Sequence, residues 1–246
     1  MKEELIVNGI VLYATLVGEY DKRLVVLTKE KGKITIFANG ARRPGSQFRA
    51  ASQSFVMGAF TITAGRDYYN LHKVEVREYF SELPLDMEKM CYASYFCELM
   101  SYYTREGDSC VNNLNLLYVT FKALIKGSMP NTLIKAIYET RLMDIEGEGI
   151  HCYSCVKCSS KEITYISSKR GGLLCDKCAK ELNVTQGISP TIVYTLQFIQ
   201  SVSIGQLYGF SLSDDAMKEL INVTDSFLNE HVDKKFKSLE ILSSLA

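Results

Sequence analysis

Cys155-Val156-Lys157-Cys158 and Cys175-Asp176-Lys177-Cys178 form two Cys-x-x-Cys pairs separated by sixteen residues. At that spacing a short ribbon folds back on itself and presents four sulfurs tetrahedrally to one ion. Between the pairs, Thr164-Tyr165-Ile166 reads as a strand, and Gly171-Gly172 supplies a tight turn into Leu173-Leu174-Cys175. The expected ligands are Cys155, Cys158, Cys175 and Cys178, around one zinc ion per chain. A second pairing stays open, because Cys152 and Cys155, nineteen residues before Cys175, also satisfy the rule. Cys158 is favoured because Cys155 and Cys158 lie nearest the ribbon strand, which leaves Cys152 as a substitute and His151 as a spare. Four thiolates fill the coordination sphere and leave no position to activate water, so the expected ion is structural. Two such pairs at ribbon spacing also argue for a metal over dithiol redox chemistry.

The remaining composition suits a protein with a substantial core: 246 residues, 47% hydrophobic and 23% charged. No run approaches the ~20 apolar residues of a membrane span, and Met1-Lys2-Glu3-Glu4-Leu5 lacks the pattern of a signal peptide. A cytoplasmic protein without a membrane partner is expected. Cys91, Cys97 and Cys110 are scattered through helix-like segments and read as small buried hydrophobes.

Net charge is zero, with 28 basic and 28 acidic residues, but the charge is unevenly spread. Residues 1–80 carry twelve Lys or Arg against eight Asp or Glu, and 81–246 carry sixteen against twenty. The excess sharpens at Lys22, Arg23, Lys29, Lys31, Lys33, Arg42, Arg43 and Arg49, which face only Asp21 and Glu30 nearby. A phosphate backbone would be drawn there. The competing reading makes the same residues the solvated faces of a hairpin.

Two regimes of periodicity divide the chain. Gly9–Gly18, Arg23–Thr28, Lys33–Ala38, Ser54–Ile62 and Leu71–Tyr79 are rich in β-branched and aromatic residues and predict five strands, enough for a small closed barrel. After Pro84 the period becomes helical over Met87–Thr104, Val111–Lys126, Pro130–Met143, Thr191–Val202 and Ser213–His231. Ser189-Pro190 and Ser213-Asp214-Asp215 are start signals for the last two helices. The expected domains are 1–82 and 83–246, with the ribbon inserted at about 150–182.

Phe37-Ala38-Asn39-Gly40-Ala41-Arg42-Arg43-Pro44-Gly45-Ser46-Gln47-Phe48 follows the barrel-like hairpin, and Gly171-Gly172-Leu173-Leu174-Cys175 leads into the second knuckle. In this order and spacing the chain resembles the RecO family of bacterial DNA repair proteins over nearly its whole length. The resemblance implies a five-stranded OB barrel, then a helical domain with an inserted four-cysteine zinc ribbon. It also implies a recombination mediator that is not an enzyme. Such a protein binds single- and double-stranded DNA, recognises the acidic C-terminal tail of the single-strand-binding protein, anneals complementary strands and, with RecR, helps load RecA onto coated gaps at the nucleoid.

On this chain the basic barrel residues would track phosphates, and Tyr13, Tyr20, Phe37 and Phe48 are available for base stacking, with Tyr13 and Phe37 equally placed to be core. Lys122, Lys126, Lys135 and Arg141, spaced along helix faces, are the candidate cations for the acidic tail. Two departures stand out: the chain has no Trp, and Ser159 follows Cys158 where glycine is common. The alternative function is a zinc-ribbon nucleic-acid-binding regulator without annealing activity. No helix concentrates Arg, Asn or Gln as a recognition helix would, and no His-Glu-x-x-His, Gly-x-Ser-x-Gly or Gly-Lys-Ser/Thr signature offers a catalytic centre.

Overall fold

A computed structural model describes residues 4–244. Strands β1 (Glu4–Val17), β2 (Asp21–Thr28), β3 (Gly32–Ala38), β4 (Met57–Ala64) and β5 (Tyr69–Glu78) form a closed barrel in the order β1-β2-β3-β5-β4. All neighbouring pairs are antiparallel except β3 and β5, which meet in parallel at Ile36 and Phe37. The first strand is long enough to pair twice. Its first half lies against β4, its second against β2, and the register shifts between Val11 and Tyr13. Such a bulge bends a strand and lets a small sheet close on itself.

Alternation sends Val7, Val11, Leu24, Val26, Ile34, Ile36, Phe60 and Ile62 into the barrel. Ile10, Leu12 and Leu27 are buried although they are not part of that cluster, and helix α2 (Met87–Tyr103) packs along β1. The chain passes from barrel to helix through a 3-10 turn at Leu83–Leu85, and Asp86 caps α2 by accepting from the Lys89 backbone N–H at 3.1 Å. A four-residue helix, α1 (Phe48–Ala51), lies between β3 and β4. Its length is below what periodicity registers, so nothing in the strand-rich pattern announces it.

The five predicted strands and five predicted longer helices are all present, with ends displaced by a few residues. Helix α3 (Val111–Lys126) matches its predicted bounds, α4 runs Asn131–Ile145, α6 Pro190–Ser201 and α7 Asp214–His231; α5, Asp176–Glu181, is a short helix inside the ribbon. Ser189 and Ser213 accept from Ile192 N and Ala216 N, both at 3.4 Å, as N-caps should. A last helix, α8 (Lys237–Ser243), has no counterpart in the sequence reading.

Compactness divides the chain elsewhere than at the change from strands to helices. One unit holds the described residues up to Phe121 together with those from Phe236 on; the other holds Lys122–Lys235. Within the first, α8 returns to α2, where Phe236 meets Tyr95 edge to face at 5.3 Å and Ser238 donates to Glu98 at 3.0 Å. Phe121 packs edge-on against both Phe55 and Phe80. Phe55 and Phe80 have φ of 72° and 47°, a left-handed backbone that is costly for a bulky residue. Burial of both rings offsets that cost. Within the second unit, α4 packs against α6 and α7, and the ribbon adds a two-stranded hairpin, β6 (Tyr165–Ser167) and β7 (Gly172–Leu174). Among the described residues, no helix is long and apolar enough to cross a membrane.

Candidate metal centre and nucleic-acid interface

The ribbon folds because its two halves are stitched through the backbone. Leu173 N–H donates to His151 O, and Val156 N–H donates to Leu173 O, each at 2.9 Å. This approach leaves no room for a side chain at Gly172, where an added Cβ would lie 2.5 Å from His151 O and 2.8 Å from Val156 Cγ1. Gly171 makes the preceding turn with φ of 75°. The hairpin brings Cys155 and Cys158, on a backbone turn, opposite Cys175 and Cys178 at the start of α5.

All four Sγ atoms lie within 4.8 Å of one another, and Cys158 Sγ and Cys175 Sγ are 3.6 Å apart. Metal–sulfur bonds of ~2.3 Å in a tetrahedron put sulfurs about 3.8 Å apart, so the cage fits one ion. Burial disfavours a thiolate at Cys155, yet backbone hydrogen bonds at Cys175, Cys158 and Lys157 outweigh it and bring the thiol down to about 6. Cys178 is pushed up to about 12, by burial first and then by the neighbouring thiols. Such a cluster surrenders one proton easily and resists losing more until a cation joins it.

Cys152 is turned away from this cage. Its Sγ donates to Gln200 Oε1 at 3.1 Å, and burial, helped by the charge of Asp144, pushes the thiol up to about 12. Gln200 also donates to Ile150 O at 2.7 Å and Gln197 to Cys152 O at 2.8 Å, so Cys152 serves the seam between the ribbon and α6. The four sulfurs that lie together are thus those of the first pairing, with Cys158 among them and Cys152 outside the cluster. Ser159 takes φ of 62°, the conformation for which glycine is common there. Cys91, Cys97 and Cys110 are buried, and none of the three is in a disulfide.

The barrel residues separate into three groups. Arg42, Arg43 and Arg49 are exposed around the β3–α1 loop. Arg42 Nη1 donates to Glu19 O at 2.9 Å, its backbone N–H donates to Tyr20 O at 2.8 Å, and Arg43 stacks over the Tyr20 ring at 5.4 Å. The loop therefore rests on the β1–β2 turn with its cations outward.

A second group lies on the sheet itself. Thr15, Arg23, Phe37 and Asn70 are successive partners across β1, β2, β3 and β5. Phe37 packs at 4.6 Å from Tyr68, which is 42% exposed. Tyr13 and Tyr20 are also exposed, Phe37 is half-buried, and Phe48 packs on the barrel core. Sequence reasoning did not single out Tyr68. Its signal was the aromatic pair Tyr68-Tyr69 after Arg66-Asp67 at the head of a strand.

In the third group, two of the four lysines are committed to the fold. Lys33 Nζ donates to Ser101 O near the C-terminal end of α2, and Lys22 Nζ donates to Ser52 O at 3.0 Å, its pKa lowered by burial and by Arg42. Lys29 is exposed, and Lys31 sits 5.9 Å over the Tyr69 ring.

Of the cations expected on helix faces, Lys135 and Arg141 are not free surface groups. Lys135 pairs with Asp225 at 2.6 Å and with Glu139 at 3.0 Å, where Glu139 is 1% exposed. Arg141 donates to Ile199 O at 3.1 Å, to Gln200 O and to Val202 O at 3.2 Å, closing the carbonyl end of α6. Lys122 and Lys126 are exposed on the last turns of α3.

Family models agree with this architecture: the recombination protein O N-terminal family matches residues 1–80 and the recombination protein O C-terminal family residues 84–240. The chain belongs to the recombination protein O family. It is 31% identical to the DNA repair protein RecO of Alkaliphilus metalliredigens over 97% of this chain and 98% of that protein. The DNA repair protein RecO of Clostridium perfringens is 30% identical, with 96% of each chain covered. That of Acetivibrio thermocellus is 28% identical over 97% of this chain and 96% of the relative. Membership in the recombination protein O family carries a role in DNA repair and recombination.

Proposed function

We propose that this chain is a recombination mediator that binds single- and double-stranded DNA and anneals complementary strands without turnover chemistry. The observation that carries the reading is the outer surface of the barrel: Arg42, Arg43 and Arg49 exposed around one loop, beside a sheet row in which Arg23 adjoins Phe37 and its ring partner Tyr68. Cations that follow a backbone and rings that accept bases are the two requirements for holding a single strand without reading its sequence. Annealing follows from the same contacts. Neutralised phosphates reduce repulsion between two strands, and bases held only by stacking stay free to pair.

In this reading the four thiolates hold zinc, one ion per chain, in a structural role, since four sulfur donors leave no open position. The acidic C-terminal tail of the single-strand-binding protein is taken up by the helical part, where Lys122 and Lys126 are exposed on α3 while Lys135 and Arg141 are engaged within the fold. RecR is the partner with which the chain helps RecA load onto coated gaps at the nucleoid.

The test is annealing of complementary oligonucleotides coated with single-strand-binding protein, followed by fluorescence quenching. Acceleration without any nucleotide is the expected result. DNA binding with no acceleration would favour a zinc-ribbon regulator instead.

A further inference from the structure

The ribbon is a basic island in the acidic part of the chain after residue 80. Residues 150–182 carry six Lys or Arg (Lys157, Lys161, Lys169, Arg170, Lys177, Lys180) against Glu162, Asp176 and Glu181. The remainder of 81–246 carries ten basic residues against seventeen acidic ones. Two of the three ribbon carboxylates are already engaged, Asp176 by Lys180 at 2.6 Å and Glu181 by Lys157. Among the described residues, Lys169 and Arg170 form no ion pair with a carboxylate, and both are exposed.

These charges converge on a cleft of about 590 Å³ lined by Val156, Lys157, Lys169 and Arg170. One lip is the first cysteine knuckle; the other is the 3-10 turn Ser168–Arg170. Backbone hydrogen bonds hold both lips, from Val156 N–H to Leu173 O at 2.9 Å, Gly171 N–H to Ser168 O at 3.0 Å and His151 N–H to Gly171 O at 2.9 Å. The cations are thus mounted on a preformed scaffold, and binding an anion there costs little ordering of the backbone.

We infer that this cleft is a second nucleic-acid contact, which grips the phosphodiester backbone of duplex DNA. No aromatic side chain lines it, so it has nothing on which to stack an unpaired base, in contrast to the barrel surface. An acidic peptide would need an apolar pocket for its anchor residues, and Val156 is the one apolar side chain lining the cleft. A row of regularly spaced phosphates, dense on a duplex and needing only cations, fits best. The inference rests on the DNA-binding reading and adds a division of labour: single strands on the barrel, paired backbone on the ribbon.

The test compares three full-length proteins by fluorescence anisotropy on a labelled duplex and on labelled oligo-dT over a range of salt: the wild type, Lys169→Ala with Arg170→Ala, and Arg42→Ala with Arg43→Ala. For the ribbon variant we expect duplex affinity to fall about tenfold and the slope of log affinity against log salt to shrink by about two. Its oligo-dT affinity, metal content and melting temperature should stay at wild-type values. Unchanged duplex affinity and slope in a folded ribbon variant would overturn the ribbon contact while leaving the barrel reading to its own variant. A wild type that binds neither DNA would overturn both. A ribbon variant that keeps duplex binding but loses affinity for an acidic peptide would show the cleft to be a peptide site, and the inference would be wrong.

Discussion

Ser159 and Cys175 show how single residues set the metal cage. Ser159 holds a left-handed backbone at 62° that an L side chain adopts at a cost of about 1 kcal/mol. Ser159→Gly should therefore raise stability by about that amount, read as a higher melting temperature with unchanged metal content. Cys175→Ser removes one of four sulfurs that lie within 4.8 Å of each other, and should release the ion and lower the melting temperature; metal retained in full would mean that other ligands hold it. The ligand pattern was legible in the spacing of the two pairs. The choice between Cys158 and Cys152 was not, because both satisfy the same arithmetic. What separates them is where α6 puts Gln200, a residue distant in sequence that engages the Cys152 thiol away from the other four sulfurs.

At the scale of elements, periodicity located the strands and the long helices because each buries one face and repeats at its own period. It failed for α1, α5 and α8, which run four, six and seven residues, too short for a period to register. It was also silent on which helical lysines reach solvent. Lys135 lies between Glu139 and Asp225, and the carboxylate it shields is buried. Lys135→Ala should cost about 3 kcal/mol, because the buried Glu139 carboxylate loses the ammonium 3.0 Å from it. Denaturant unfolding would measure it, and a loss well below 1 kcal/mol would mean that the triad contributes little. Burial alone would lower the Lys135 pKa, but its two carboxylates outweigh this and raise it. A raised lysine pKa gives stability that is complete below the ordinary lysine value of about 10.4 and is lost as pH climbs through the folded value. The triad's contribution should therefore be flat through neutrality and fade only in strong alkali, as followed by unfolding at increasing pH.

For the whole molecule, zero net charge hides a basic barrel part, residues 1–80, and an acidic remainder. DNA affinity should therefore come from local patches and fall steeply with salt, since each contacted phosphate releases a counterion. Arg42→Ala with Arg43→Ala should weaken single-strand binding and flatten its salt slope while the melting temperature holds, because both side chains are exposed. A slope identical to wild type would remove the β3–α1 loop from the interface. The order of strands, helices and ribbon, the four-cysteine site and the family resemblance were all readable from local pattern, because each depends on residues close in sequence. The tertiary structure decided that several of the basic residues are held within the fold. Lys22, Lys33, Lys135 and Arg141 are held by carbonyls or carboxylates contributed from 30 to 90 positions away. Tyr68 gained its place beside Phe37 only when β5 closed in parallel on β3. Local sequence records the period and chemistry of each segment, but burial and pairing of a charge depend on what the fold brings opposite it.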